Sequence, residues 1–64
     1  MARLTFKDIK RGDKFKANCS GLVWHVWRRS AKRKKITMWA KSDVLGCVEM
    51  EFTVGQINME FIKI

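Results

Sequence analysis

The sequence predicts an all-β fold: five short strands, either closed into a small barrel or folded as one strongly bent antiparallel sheet. Three observations predict it. Several segments alternate apolar and polar residues with period two. Turn residues such as Gly12-Asp13, Ser20-Gly21 and Gly46 separate them. No segment of the 64 residues sustains a helical period. Closure or strong bending hides the edges that an open sheet would expose.

The elements follow in order. Thr5-Phe6-Lys7-Asp8 can open a short helical turn, with Thr5 as N-cap and Asp8 three residues on, and Gly12 is expected to end it. In Lys14–Cys19, Phe15, Ala17 and Cys19 share one face and Lys14, Lys16 and Asn18 the other, which reads as a half-buried strand. Leu22–Arg28 is rich in β-branched and aromatic residues. Both its faces are partly apolar; Leu22, Trp24 and Val26 are placed inward because the opposite face, Val23, His25 and Trp27, runs on into Arg29. In the third strand, Ile36–Lys41, the expectation is Ile36, Met38 and Ala40 inward with Thr37, Trp39 and Lys41 outward.

Ser42–Gly46 reads as a hairpin loop. Cys47–Val54 has the cleanest alternation in the chain, Val48, Met50, Phe52 and Val54 against Glu49, Glu51 and Thr53. Gly55-Gln56 should form a short turn, 3₁₀ in type, before a closing strand from Asn58 to Ile64, in which Phe61 and Ile62 compete for burial.

Two stretches carry a resemblance. Asp8-Ile9-Lys10-Arg11-Gly12-Asp13-Lys14-Phe15 looks like the lead into a first barrel strand, and Phe52-Thr53-Val54-Gly55-Gln56-Ile57-Asn58-Met59-Glu60-Phe61 like a strand, single turn and strand closure. In these the chain resembles SH3-like small β-barrels. Size, charge and exposed Trp and Met residues also make it similar to the small basic chromatin proteins of archaea, which share that barrel and bind duplex DNA through a sheet face. Their signature binding residues are not matched here, so none is carried over. Short, basic, Trp-rich chains are also common among phage-encoded proteins.

Charge dominates the functional reading. The net charge is +8, and it is segregated. Residues 1–41 hold 13 of the 14 Lys and Arg against Asp8 and Asp13, a net of +11, whereas residues 42–64 hold Lys63 against Asp43, Glu49, Glu51 and Glu60, a net of −3. A basic pole opposite an acidic one orients the protein on a polyanion. With 47% hydrophobic residues, three Trp and four Phe, the chain is a single globular domain and not a basic tail. Cys19 and Cys47 lie in alternating segments, which favours buried thiols over a disulfide. Two Cys and His25 fall short of a structural zinc set, so no metal or cofactor is expected. The first residues show no apolar leader, and no apolar run spans a bilayer, so a cytoplasmic, reducing location is expected, at the nucleoid if DNA is bound, with no membrane partner.

The densest feature is Arg28, Arg29, Lys32, Arg33, Lys34 and Lys35, six cations in eight residues between two β-prone segments. Such a cluster stays in solvent, where it is either a self-repelling loop or a hairpin tip that neutralises phosphates and releases counterions. Trp39, between Thr37 and Lys41, should be exposed, free to stack on a base or to cover a sheet edge. If the outer face holds Trp27 and His25 as well, the three rings form one patch ringed by Arg28, Arg29 and Lys41, which could equally pair two copies as a homodimer. Lys14 and Lys16 add cations on a neighbouring strand, and Trp24 is assigned to the core. His25 has no acid near it in sequence. Glu49 and Glu51 are expected to pair with Lys14, Lys16 or Lys41. Nothing resembles a catalytic set, and an enzyme is not expected.

Two functions compete. One is a non-catalytic nucleic-acid-binding protein, DNA favoured over RNA, of low sequence specificity. It would contact phosphates through Arg28, Arg29, Lys32, Arg33, Lys34, Lys35, Lys14, Lys16 and Lys41, and bases through Trp39 and Trp27. The other is a phage-type inhibitor or adaptor of a host nucleic-acid-processing protein, docking through the acidic residues and the exposed Trp.

Overall fold

The computed structural model describes residues 3–64; the reading of the leader at Met1 and Ala2 lies outside them. A 3₁₀ turn at Phe6–Asp8 is followed by β1 (Lys14–Ala17), β2 (Val23–Ser30), β3 (Lys35–Ser42), β4 (Gly46–Thr53), helix α1 (Val54–Glu60) and β5 (Phe61–Lys63). The five strands form one antiparallel sheet in the order β4-β3-β2-β1-β5. The all-β expectation holds, and of its two forms the unclosed, bent sheet is the one found, since no ladder joins β4 to β5.

The bend follows from the core. In a flat sheet the two edge strands would lie about 19 Å apart, four spacings of about 4.8 Å. Instead the Phe52 ring of β4 meets the Phe61 ring of β5 at 5.0 Å, and Trp24 of the central strand packs edge-on against both, at 5.4 and 6.2 Å. Edge-to-face contacts of this kind add to the area the rings bury. Ile9, Phe15, Ile36, Met38 and Ile57 complete the interior, each almost wholly excluded from solvent. Leu22, Trp24 and Val26 point inward as expected, as do Ile36, Met38 and Ala40.

Several boundaries differ from the sequence reading. The 3₁₀ turn ends at Ile9, which is extended, and Gly12 (φ 97°) serves the next turn instead. β1 stops at Ala17, so Cys19 sits exposed in a turn; Cys47, on the edge strand, is exposed too, and the expectation of buried thiols fails for both. Thr37 faces outward in register yet is buried, because Arg28 and Glu51 flank it from both neighbouring strands and their stems cover it. β4, the cleanest alternation, is the most exposed strand: Phe52 is buried, Val48 half-buried and Met50 open, because an edge strand at the end of a curled sheet has little to pack against.

The segment after β4 is a seven-residue helix, not a brief turn, and it takes Asn58, Met59 and Glu60 from the expected closing strand. Its start is a capping box: the Thr53 hydroxyl accepts from the Gln56 N–H (3.2 Å), and the Gln56 side-chain oxygen accepts from the Thr53 N–H (2.9 Å). Asn58 then pairs with Leu4 in both directions, accepting from its N–H (2.9 Å) and donating to its carbonyl (2.8 Å). That docks the N-terminal segment onto the helix. The β5 register settles with Phe61 buried and Ile62 exposed. Among the described residues no helix is long and apolar enough to cross a membrane.

Two predictions concern these short elements. Thr53→Ala removes the reciprocal cap and should cost about 1 kcal/mol; for a domain this small that lowers the thermal midpoint by roughly 4–8 °C, measured by circular dichroism. The second concerns Asp8. Its carboxyl is held below the usual carboxylate range by the Thr5 N–H (2.8 Å), then by the Thr5 hydroxyl (3.0 Å). A lowered folded pKa gives stability that is complete above the unfolded value, about 3.9, and is lost as pH falls through the lowered one. Asp8→Asn should therefore lower the unfolding midpoint at neutral pH and flatten its acid limb below about pH 4, so that the variant and the unaltered protein converge in acid.

Candidate nucleic-acid interface

The cations of residues 28–35 do not form one tip. Ser30 and Lys35 are the last pair of the β2–β3 ladder, and residues 31–34 make the turn. Lys32, Arg33 and Lys34 project from that turn into solvent, while Lys35 is half-buried within β3. The Ser30 hydroxyl accepts from the Arg33 N–H (3.3 Å). Lys34 closes the turn at φ 52°, the one non-glycine residue with positive φ among those described. Arg33 is paired within the protein: its guanidinium donates to Glu51 at 3.3 Å, both side chains remaining exposed.

Arg28 and Arg29 are separated by a bulge. Val26 pairs with Met38 and Arg28 with Thr37, leaving Trp27 as the extra residue on β2. The bulge resets the alternation. Arg28 joins the outer face with Thr37, and Arg29 falls opposite the buried Ile36. Arg29 is then turned onto the N-terminal segment, its guanidinium 4.5 Å from the Phe6 ring and donating to the Phe6 carbonyl (2.8 Å). Arg28 lies 4.5 Å over the Trp27 ring.

A third arginine meets them. The turn before β1 is tied to β2 beside the bulge: the Gly12 N–H donates to the Val26 carbonyl (2.8 Å) and the Val26 N–H to the Asp13 carbonyl (2.9 Å). This brings Arg11 to a cleft of about 430 Å³ that it lines together with Trp27, Arg28 and Arg29, and no carboxylate lines it. Trp27 is half-buried there, and its indole N–H is buried without a hydrogen-bond partner. Sequence reasoning missed Arg11. Its place depends on pairing between residues far apart in the chain, and no local pattern announces that.

The outer face carries the second aromatic group. His25 and Trp39 are cross-strand partners, stacked at 4.4 Å with planes 22° apart, and Trp39 is 37% exposed as expected. Lys14 lies opposite His25, Lys16 opposite Val23 and Ile62, and Lys41 opposite Cys47, so all three expected strand cations are exposed on this face or its margin. The single three-ring patch is not formed: among the described residues no ring contact links Trp27 to His25 or Trp39. The bulge takes Trp27 out of line.

The acids are placed differently from the sequence reading. Glu49 lies opposite Trp39 and Glu51 opposite Thr37, on the same face as Arg28 and the stacked rings. They do not form a remote pole. Lys14 and Lys16 stand on β1, separated from β4 by β2 and β3, and the partner of Glu51 is Arg33 instead. Glu49 has no ion-pair partner among the described residues. No group of three or more His, Cys, Asp or Glu side chains there is arranged to hold a metal. The contact recorded for the His25 ring is the stack on Trp39. No family model, no curated protein and no solved structure matches the chain.

A prediction follows from Lys34. Left-handed backbone costs an L-residue about 1 kcal/mol relative to glycine, partly offset by the greater unfolded-state freedom of glycine. Lys34→Gly should raise stability by a few tenths to about 1 kcal/mol in urea unfolding with unchanged m value, while removing one exposed cation from the turn.

Proposed function

We propose that the chain is a non-catalytic nucleic-acid-binding protein that grips phosphates at the β2–β3 hairpin and stacks an unpaired base on its outer face. The observation that carries this reading is the convergence of Arg11, Arg28 and Arg29 around Trp27 in a cleft that no carboxylate lines. Guanidinium forks match phosphate oxygens in pairs and are weakly hydrated, so they release their water at small cost. Arg29, held by Phe6, acts as a fixed point, and Arg11 and Arg28 have guanidinium donors to spare. Lys32 and Lys34 extend the same charge from the turn. The half-exposed Trp39, backed by His25, supplies the stacking surface, and stacking on one indole is tolerant of sequence.

The test is a titration against duplex DNA, single-stranded DNA and RNA at several salt concentrations. With roughly five phosphates neutralised, log K should fall with log salt at a slope of about −4.5 on duplex and about −3.5 on single strands. Arg11→Ala should reduce that slope by about 0.7–0.9 while leaving the fold intact, since Arg11 is exposed. Absence of binding to all three polymers at low salt would overturn the proposal.

A second reading, docking onto a nucleic-acid-processing protein, rests on a different observation. Val44 and Leu45 in the β3–β4 turn are 88% and 75% exposed, apolar, and at the opposite end of β3 from the basic turn. A stoichiometric protein partner retained from a nuclease-treated lysate, and lost on Val44→Ser with Leu45→Ser, would favour it.

A further inference from the structure

The outer face holds more than a stacking surface, because of what stands beside Trp39. His25 and Trp39 are neighbours across β2 and β3, and their centroid separation of 4.4 Å is close to one strand spacing, about 4.8 Å. Two nearly parallel rings at that spacing stand upright on the sheet, like books on a shelf. His25 takes one face of the indole. The other face looks along the same row toward β4, where the residue in register is Glu49. Cross-strand partners have Cβ atoms about 4.5–5.5 Å apart, so a planar group laid against the open indole face would lie within reach of the Glu49 carboxylate.

The charges around that position divide in two. Glu51, the next acid on the strand, is neutralised by Arg33. Glu49 is exposed and has no ion pair among the described residues. Both acids, with Arg28, Arg33 and Thr37, line a groove of about 600 Å³. Trp39 does not line this groove; its cross-strand partner Glu49 does. An unpaired carboxylate on a phosphate-binding face repels the ligand unless it receives hydrogen bonds from it. An ionised carboxylate only accepts, through two oxygens. The planar group that suits it presents two adjacent donors on one edge.

Among the bases guanine alone does so, through N1–H and the N2 amino group. Adenine, cytosine, uracil and thymine each place a ring nitrogen or carbonyl acceptor beside their single donor group on that edge. We infer that the outer face holds one unpaired guanine, stacked on Trp39 and read by the Glu49 carboxylate, with Arg28 placed for the adjoining phosphate. The inference rests on the nucleic-acid reading above and departs from the low specificity expected of the sequence, at one nucleotide position.

The test uses the full chain and single-stranded oligothymidylates of about eight nucleotides, within the site sizes of single-strand binders, each with one central guanine, inosine or adenine. Binding is followed by anisotropy and Trp emission. The guanine oligomer should bind about ten-fold tighter than the adenine one, as for a good bidentate base contact, with inosine between them because it lacks the amino group. Glu49→Gln, at an exposed position of an edge strand, should abolish that ranking and tighten binding of plain oligothymidylate. Trp39→Leu should weaken all the oligomers and remove the emission change on binding. Equal affinities for guanine, inosine and adenine in the unaltered protein, or a guanine preference that survives Glu49→Gln, would overturn the inference and leave the phosphate-binding proposal standing. Failure of every oligomer to bind at low salt would instead remove the nucleic-acid reading and this inference with it.

Discussion

The contact between Phe52 and Phe61 is the constraint on which the rest of the structure depends. It joins the two edge strands of a five-stranded sheet across the interior, with Trp24 wedged against both rings. A sheet that must bring its edges together curls, and curling gives it an enclosed inner face and an open outer one. The inner face takes Phe15, Ile36 and Met38. The outer face is left to Lys14, His25, Arg28, Trp39 and Glu49. Helix α1 is the connection that lets the two edges meet across the core. It leaves β4 at a capped Thr53, buries Ile57 over the open end of the core, and delivers Phe61 directly into β5. The seam keeps a cleft of about 170 Å³ beside Trp24, whose indole N–H is buried without a partner. A chain of this size has little stability in reserve, so the ring contacts at the seam weigh heavily in it.

The bulge at Trp27 does for the surface what the aromatic contact does for the core. Without it Arg29 would continue the outer face and Arg28 would point into the protein. With it, Arg28 faces outward, Arg29 clamps Phe6, and Trp27 leaves the ladder to floor the cleft that Arg11 enters from another segment. One inserted residue thus divides a uniform run of cations into members with separate roles. Arg29 is structural, Arg33 is held by Glu51, and Arg28 remains oriented by the indole beneath it.

Those distinctions show what was legible in the sequence. The inward sets of β2 and β3 were readable because each alternates over several residues, and period two survives tertiary context when one face is buried. The 3₁₀ turn was readable because its cap is local, Thr5 with Asp8. The capping box Thr53–Gln56 is equally local and marks the start of α1, but the apparent alternation of residues 58–64 competes with it. Three features were not readable. The bulge depends on which residues of β3 pair with β2. The exposure of β4 depends on its being an edge, which alternation does not encode. The nearness of Glu49 and Glu51 to the arginines depends on strand order. Charge segregation along the chain suggested separate poles, whereas antiparallel pairing folded the acidic segment back against the basic hairpin.

That folding back changes what the excess charge can do. A turn carrying Lys32, Arg33 and Lys34 repels itself, and the strained backbone at Lys34 adds to the cost of holding it. Glu51 relieves one of these charges through Arg33, at an exposed site where an ion pair contributes at most about 1 kcal/mol. Lys32 and Lys34 have no ion-pair partner among the described residues. Sequence changes that would relieve it are simple: a glycine at position 34, or an acid in place of Lys32. A surface that keeps both strain and repulsion, and sets an unpaired carboxylate beside an exposed indole, is better matched to a ligand than to the folded chain alone. Under the proposed function, an anionic strand would supply the missing partner for the cations, and a base with adjacent donors would supply it for Glu49.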